Sequence, residues 1–167
     1  MKTLVIIMAA TLSATAASAQ TVILVRHAEK AATPANDPSL TPAGQARAQD
    51  LKARLAGAGV TLVIHSEARR TLETAKPTAA AAQAPMKQIA AGVADPIGPV
   101  VAAIRAAGAK ATVLVVGHSN TIPAIARKLG DAAPPEIPES VYDTLIVIQM
   151  GKPKPKVIHA RYGAATP

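Results

Sequence analysis

The sequence predicts an α/β protein, a three-layer sandwich with helices on both faces of a largely parallel sheet. Three observations carry this. Short runs of β-branched and aliphatic residues alternate along the chain with segments of helical periodicity. Most of those runs are apolar throughout, as expected of strands covered on both faces. The last two are joined by a short Pro/Lys turn, and so brief a connection forces an antiparallel hairpin.

Thr21 to Arg26 reads as the first buried strand. A loop follows over Ala31 to Leu40, punctuated by Pro34, Asn36, Asp37 and Pro38. Thr41-Pro42 supplies an N-cap with proline at the first helical position, and Ala48, Leu51 and Leu55 form the apolar face of that helix. Gly57 and Gly59 end it, and Val60 to His65 is the second strand. Ser66 is expected to cap a helix from Glu67, kinked or broken near Pro77. Met86 to Ile89 is a short third strand. Asp95 is expected to open a helix carrying Ile97, Val101 and Ile104, which Gly108 stops. Thr112 to Val116 is a strand and Asn120 to Leu129 a helix closed by Gly130. Thr144 to Met150 and Val157 to Tyr162 form the final hairpin.

Composition narrows the function. Of 167 residues half are hydrophobic and 17% charged, which excludes intrinsic disorder. Phe, Trp and Cys are absent and Tyr occurs twice, so Ala, Val, Ile and Leu must build the core. Disulfides, thiolate metal sites and a cysteine nucleophile are excluded, and stacking on single-stranded nucleic acid nearly so. The formal net charge is +8. Its densest stretch, Lys152-Pro153-Lys154-Pro155-Lys156, is most simply a solvated turn, so no nucleic-acid partner is expected.

The first nineteen residues have the pattern of a secretory signal peptide: Lys2, an apolar run from Leu4 to Leu12, and an Ala17-Ser18-Ala19 cleavage site. Residues 1–19 are therefore expected to be removed, leaving one domain over residues 20–167 with no membrane anchor, in the periplasm or secreted. The oligomeric state is not legible.

Two strands end alike. Thr21-Val22-Ile23-Leu24-Val25-Arg26-His27 and Thr112-Val113-Leu114-Val115-Val116-Gly117-His118 each carry a histidine at the seventh place. Ligands of open α/β sheets bind at the carboxyl edge of the strands. If these two strands are parallel neighbours, both histidines face one crevice. A lone histidine at a strand end is ordinarily incidental; two such endings are harder to dismiss. Arg69 and Arg70 lie on the first turn after Ser66, where they oppose the helix dipole unless an anion sits nearby. The helix start after His118 offers free N–H groups to the same anion.

These residues resemble the histidine phosphatase (phosphoglycerate mutase-like) superfamily. Leu24-Val25-Arg26-His27-Ala28-Glu29-Lys30 is similar to its Arg-His-Gly signature, with Ala28 in place of the usual glycine. Leu40-Thr41-Pro42-Ala43-Gly44 resembles its Leu-Thr-x-x-Gly helix start. Ser66 to Ala75 resembles its Ser-x-x-x-Arg-x-x-x-Thr-Ala stretch with Arg70 in the functional place, and Val116 to Asn120 its Gly-His segment. The resemblance implies a mixed six-stranded sheet in the order 3-2-4-1-5-6. It makes His27 the nucleophile, with Arg26, Arg70 and His118 binding the phosphoryl group and no metal or cofactor required. Asp95 is the expected proton donor, with Glu29 and Glu67 as rivals. The activity implied is an exported phosphatase acting on phosphomonoesters of small anionic substrates. Phosphoglycerate mutase-type transfer, protein phosphohistidine dephosphorylation and non-catalytic phosphate binding are the alternatives. The loop from Pro134 to Pro138 is expected to rim the pocket.

Overall fold

In a computed structural model, residues 19–167 are described, and the proposed signal peptide lies almost entirely outside them. The strands are β1 (Thr21–Arg26), β2 (Val60–His65), β3 (Met86–Gln88), β4 (Thr112–Gly117), β5 (Thr144–Gln149) and β6 (Lys156–Arg161). The helices are α1 (Pro42–Arg54), α2 (Arg69–Ala82), α3 (Gly98–Ala106) and α4 (Thr121–Lys128). They build one six-stranded sheet in the order β3-β2-β4-β1-β5-β6. The first four strands in that order run parallel; β5 pairs antiparallel with β1 and with β6.

Alternation along β1 shows why its apolar run is continuous. Val22 and Leu24 pack with Val101, Ile104, Ile122 and Ile125 of α3 and α4. Ile23 and Val25 face the other way, toward Leu51 of α1 and Ala75 and Ala79 of α2. Both layers are aliphatic apart from Tyr162, as the composition required. Side chains of this size contribute about 1.5–3 kcal/mol each when fully buried, so the packed centre of the sheet is the base from which its carboxyl edge projects.

The start of α1 is fixed by a close approach. A Cβ on Gly44 would lie 2.2 Å from the Glu29 carbonyl oxygen, so glycine is required where α1 crosses the segment after β1. The Thr41 hydroxyl accepts from the Gly44 N–H and so caps α1, as expected.

Three expectations need correction. Helix α2 begins at Arg69, not Glu67, because Ser66, Ala68 and Thr71 form a hydroxyl-bonded turn first: Ser66 Oγ accepts from the Ala68 N–H at 3.2 Å, and Thr71 Oγ1 donates to the Ala68 carbonyl at 2.7 Å. Helix α2 also runs unbroken through Pro77, held on both sides of the proline by buried Thr74, Ala75, Thr78 and Ala79. Helix α3 begins at Gly98, three residues beyond Asp95.

Candidate active site

The parallel register of β1 and β4 pairs Arg26 with Gly117, so the next residue on each strand is a histidine. His27 and His118 therefore stand side by side at the carboxyl edge, their ring centroids 5.5 Å apart. The His27 N–H donates to the Gly117 carbonyl, which ties the two strand ends together.

His27 is 3% exposed. Its Nδ1 lies 2.8 Å from the Ala28 carbonyl oxygen. A carbonyl only accepts, so Nδ1 carries the hydrogen and the lone pair of the neutral ring is on Nε2. Burial, aided by the charges of Arg26 and Arg70, lowers its pKa to about 3 against the bond to Ala28. The ring is thus neutral and nucleophilic at any ordinary pH. The turn that presents it is fixed by Thr74, whose Oγ1 accepts from the Ala28 N–H at 2.9 Å while donating to the Arg70 carbonyl. The Ala28 methyl group packs with Leu40 and Ala48, so alanine here fills a small apolar cluster.

His118 Nε2 lies 2.9 Å from Ser66 Oγ, and its own N–H donates to Thr121 Oγ1. Burial and the charge of Arg70 hold its pKa below the usual value. Arg70 lines the pocket, and its buried Nε has no partner. Its neighbour Arg69 turns away to pair with Glu73 at 2.7 Å and is half exposed. Of the two arginines, only Arg70 serves the crevice.

Arg26 is completely buried. Its Nη1 donates to the carbonyls of Pro138 and Val141, at 2.8 and 2.9 Å, its guanidinium lies over the Tyr142 ring, and its Nε has no partner. The expected rim loop is thus bound to the site through Arg26. Glu139 on that loop was not singled out from sequence, yet its Oε2 lies 2.5 Å from Arg26 Nη2, and its Oε1 accepts from Ser119 Oγ.

The resulting cavity has a volume of about 770 Å³. His27, Arg70, His118 and Ser119 are among its lining residues, with Lys30, Glu67 and Glu139. Asp95 is not among them. Its Oδ1 accepts from the N–H groups of Ile97 and Gly98, which hold its pKa below the usual value. The placement is that of a helix-start acceptor and gives no support to the expected donor role. The rivals are also engaged. Glu29 is bound in two-pronged fashion by buried Arg47, and Glu67 accepts from the N–H groups of Ala91 and Gly92. Both carboxyls are held below the usual range, Glu29 by Arg47 against burial, Glu67 chiefly by the Ala91 N–H. Among the described residues no group of three or more His, Asp or Glu side chains is placed to hold a metal.

Residues 22–91 match the model of the histidine phosphatase superfamily, branch 1. No curated protein matches the chain. Among solved structures, a SixA protein from Nakamurella multipartitia, described as a candidate phosphohistidine phosphatase, is 28% identical; the match covers 87% of this chain and 98% of that one with a TM-score of 0.67. A candidate phosphohistidine phosphatase SixA from Agrobacterium tumefaciens is 25% identical, with 86% and 97% covered and a TM-score of 0.64. The protein histidine phosphatase SixA complexed with tungstate shares the fold at 19% identity and a TM-score of 0.67, with 84% and 96% covered. The family match over residues 22–91, together with an architecture shared over nearly the whole length of these proteins, makes the chain similar to the histidine phosphatase superfamily.

Proposed function

We propose that the protein is an exported phosphatase that works through a phosphohistidine on His27, with no metal ion. The observation that carries this is the orientation of His27: Nδ1–H is committed to the Ala28 carbonyl, and Nε2 keeps its lone pair in a pocket shared with Arg70 and His118. In the first step Nε2 attacks phosphorus, the bond from phosphorus to the leaving group breaks, and the leaving group takes the electron pair. In the second, water attacks phosphorus, His27 departs as the neutral ring, and the water's proton goes to solvent. Arg26, Arg70 and His118 offset charge on the equatorial oxygens. The two guanidinium cations supply what a metal would otherwise provide, so turnover is expected to survive EDTA.

The carboxyls weighed as donors bear on substrate class. Glu29, Glu67 and Asp95 are all engaged by cations or backbone N–H groups and held in the ionised form. A strongly basic alkoxide needs a proton as it leaves, and a placed general acid contributes about 10²–10⁴-fold. A site without one favours phosphoryl groups on leaving groups that depart unprotonated, such as the imidazole of phosphohistidine or a phenolate. The two SixA relatives support the phosphohistidine member of that class. Phosphomonoesters of small anionic metabolites are the second reading, favoured by Lys30 and Arg70 in the pocket lining. Parallel turnover of a phosphohistidine peptide, p-nitrophenyl phosphate and an alkyl phosphate decides between them. The first two are expected to be hydrolysed far faster; an alkyl ester as good as either overturns the preference.

Export is read from the signal-peptide pattern of residues 1–19. The Gln20 side chain donates to the carbonyls of Ile104 and Gly108, and its carbonyl accepts from the Met150 N–H, so a chain starting at Gln20 keeps these ties. N-terminal sequencing of exported protein is expected to begin at Gln20; a start beyond Val22 contradicts this.

A further inference from the structure

We propose that the Glu139 carboxylate occupies the phosphoryl seat in the free protein, so that an incoming phosphoryl group must displace it. The inference rests on reading the pocket as a phosphoryl site. It assigns Glu139 a part in deciding which anions enter.

Burying Arg26 takes a guanidinium out of water, and such a charge needs a counter-ion whether or not substrate is present. Glu139 is that counter-ion in the free protein, with Oε2 2.5 Å from Arg26 Nη2. Its other oxygen takes the Ser119 hydroxyl, which lines the cavity. The carboxylate thereby bridges Ser119, which lines the cavity with His27, and Arg26, which lies buried behind Glu139.

The same geometry makes the occupancy reversible. The Glu139 side chain is 75% exposed, against 1% for Arg26, so little packing holds it in place. The loop backbone is anchored separately, through Arg26 Nη1 to the Pro138 and Val141 carbonyls. The carboxylate can therefore swing into solvent while Pro138 and Val141 stay bound. No loop opening is needed.

The seated carboxylate satisfies the site only in part. The Nε atoms of Arg26 and Arg70 remain buried without partners. A carboxylate brings one charge and two oxygens. A phosphoryl dianion brings two charges and three terminal oxygens, so it serves the arginines better and wins the exchange. A singly charged carboxylate ligand gains nothing over Glu139. The seat is thereby closed to weak anions and opens to phosphoryl groups, at an apparent affinity reduced by the fraction of time it is free.

The test is calorimetric binding of inorganic phosphate to the wild-type chain, E139Q and E139D, with kcat and KM for p-nitrophenyl phosphate measured alongside. E139Q is expected to bind phosphate about tenfold tighter and to lower KM in proportion, the scale of one partly exposed charge-assisted contact. E139D keeps the charge but is one methylene shorter, too short to bridge Arg26 and Ser119 as Glu139 does, and is expected to tighten binding as well. Equal or weaker phosphate binding by E139Q overturns the proposal. So does an E139D that behaves as wild type while E139Q binds tighter, since the effect would then be charge at a distance. A fall in kcat without any change in phosphate affinity overturns it too, by making Glu139 a proton carrier. In all three cases wild type still binds phosphate. If neither wild type nor E139Q binds it, this proposal and the phosphoryl-site reading fail together.

Discussion

The ring of His118 meets that of His27 edge-on, with the planes at 67° and the centroids 5.5 Å apart. The contact follows from strand register alone: β1 and β4 pair residue for residue from Thr21 and Thr112 to Arg26 and Gly117, and each strand is then followed by its histidine. One ring is buried, while the other is oriented by Ser66, and both line the same cavity.

The first prediction concerns the protonation of His27. Burial lowers its pKa from the ordinary value of 6.5 to about 3. A nitrogen-15 NMR titration of the free protein should show a neutral ring bearing its hydrogen on Nδ1 from pH 8 down to about pH 4. The sign for stability follows. A histidine whose folded pKa is depressed gains a proton on unfolding, so its contribution to stability falls as the pH drops from about 6.5 toward 3. An Nε2–H tautomer, or titration near 6.5, contradicts the geometry.

Arg69 and Arg70 are adjacent on α2 yet should behave oppositely. Arg70→Ala removes a pocket guanidinium and is expected to lower kcat/KM about 10²–10³-fold, the scale of a lost oxyanion donor, with the circular dichroism spectrum unchanged. Arg69→Ala breaks only an exposed i,i+4 pair with Glu73 and should stay within about twofold of wild type. Equal losses from both would mean that the helix start, not one guanidinium, matters.

For Asp95 the expectation is inertness in catalysis. It lies outside the cavity lining, and asparagine accepts the Ile97 and Gly98 N–H groups as well as aspartate does. Asp95→Asn should therefore hydrolyse alkyl and aryl phosphates at wild-type rates. A loss confined to the alkyl substrate would restore Asp95 as the proton donor.

Stability depends on a different pair. Arg47 is 3% exposed and reaches Glu29 through both Nε and Nη2. Glu29→Gln leaves that buried guanidinium without its counter-charge and is expected to cost about 2–4 kcal/mol, somewhat less than a fully buried pair because the Glu29 carboxylate is partly exposed. Urea denaturation measures this; a loss below about 1 kcal/mol contradicts the role.

The sheet and the histidine pair were legible because both depend on short-range pattern. Continuous aliphatic runs mark covered strands, and a histidine at the same offset in two of them marks one edge. The sheet order came from the family resemblance, and the structure bears it out. The Ser66 turn hid the start of α2 because a serine that caps a helix and one that caps a turn look alike in sequence. The role of Glu139 was invisible for another reason. It sits on an irregular loop 113 residues from Arg26, and only the folded chain brings them together. Arg47 was likewise hidden, since an arginine in an amphipathic helix ordinarily faces water.

The central claim is that Nε2 of His27 accepts the phosphoryl group. Rapid quench of the protein with a phosphorus-32-labelled substrate, followed by peptide mapping under alkaline conditions, measures this directly. The account predicts acid-labile label on His27 at Nε2, approaching one per chain, and neither label nor turnover in His27→Ala. Label on another residue, or sustained hydrolysis by His27→Ala, would contradict it.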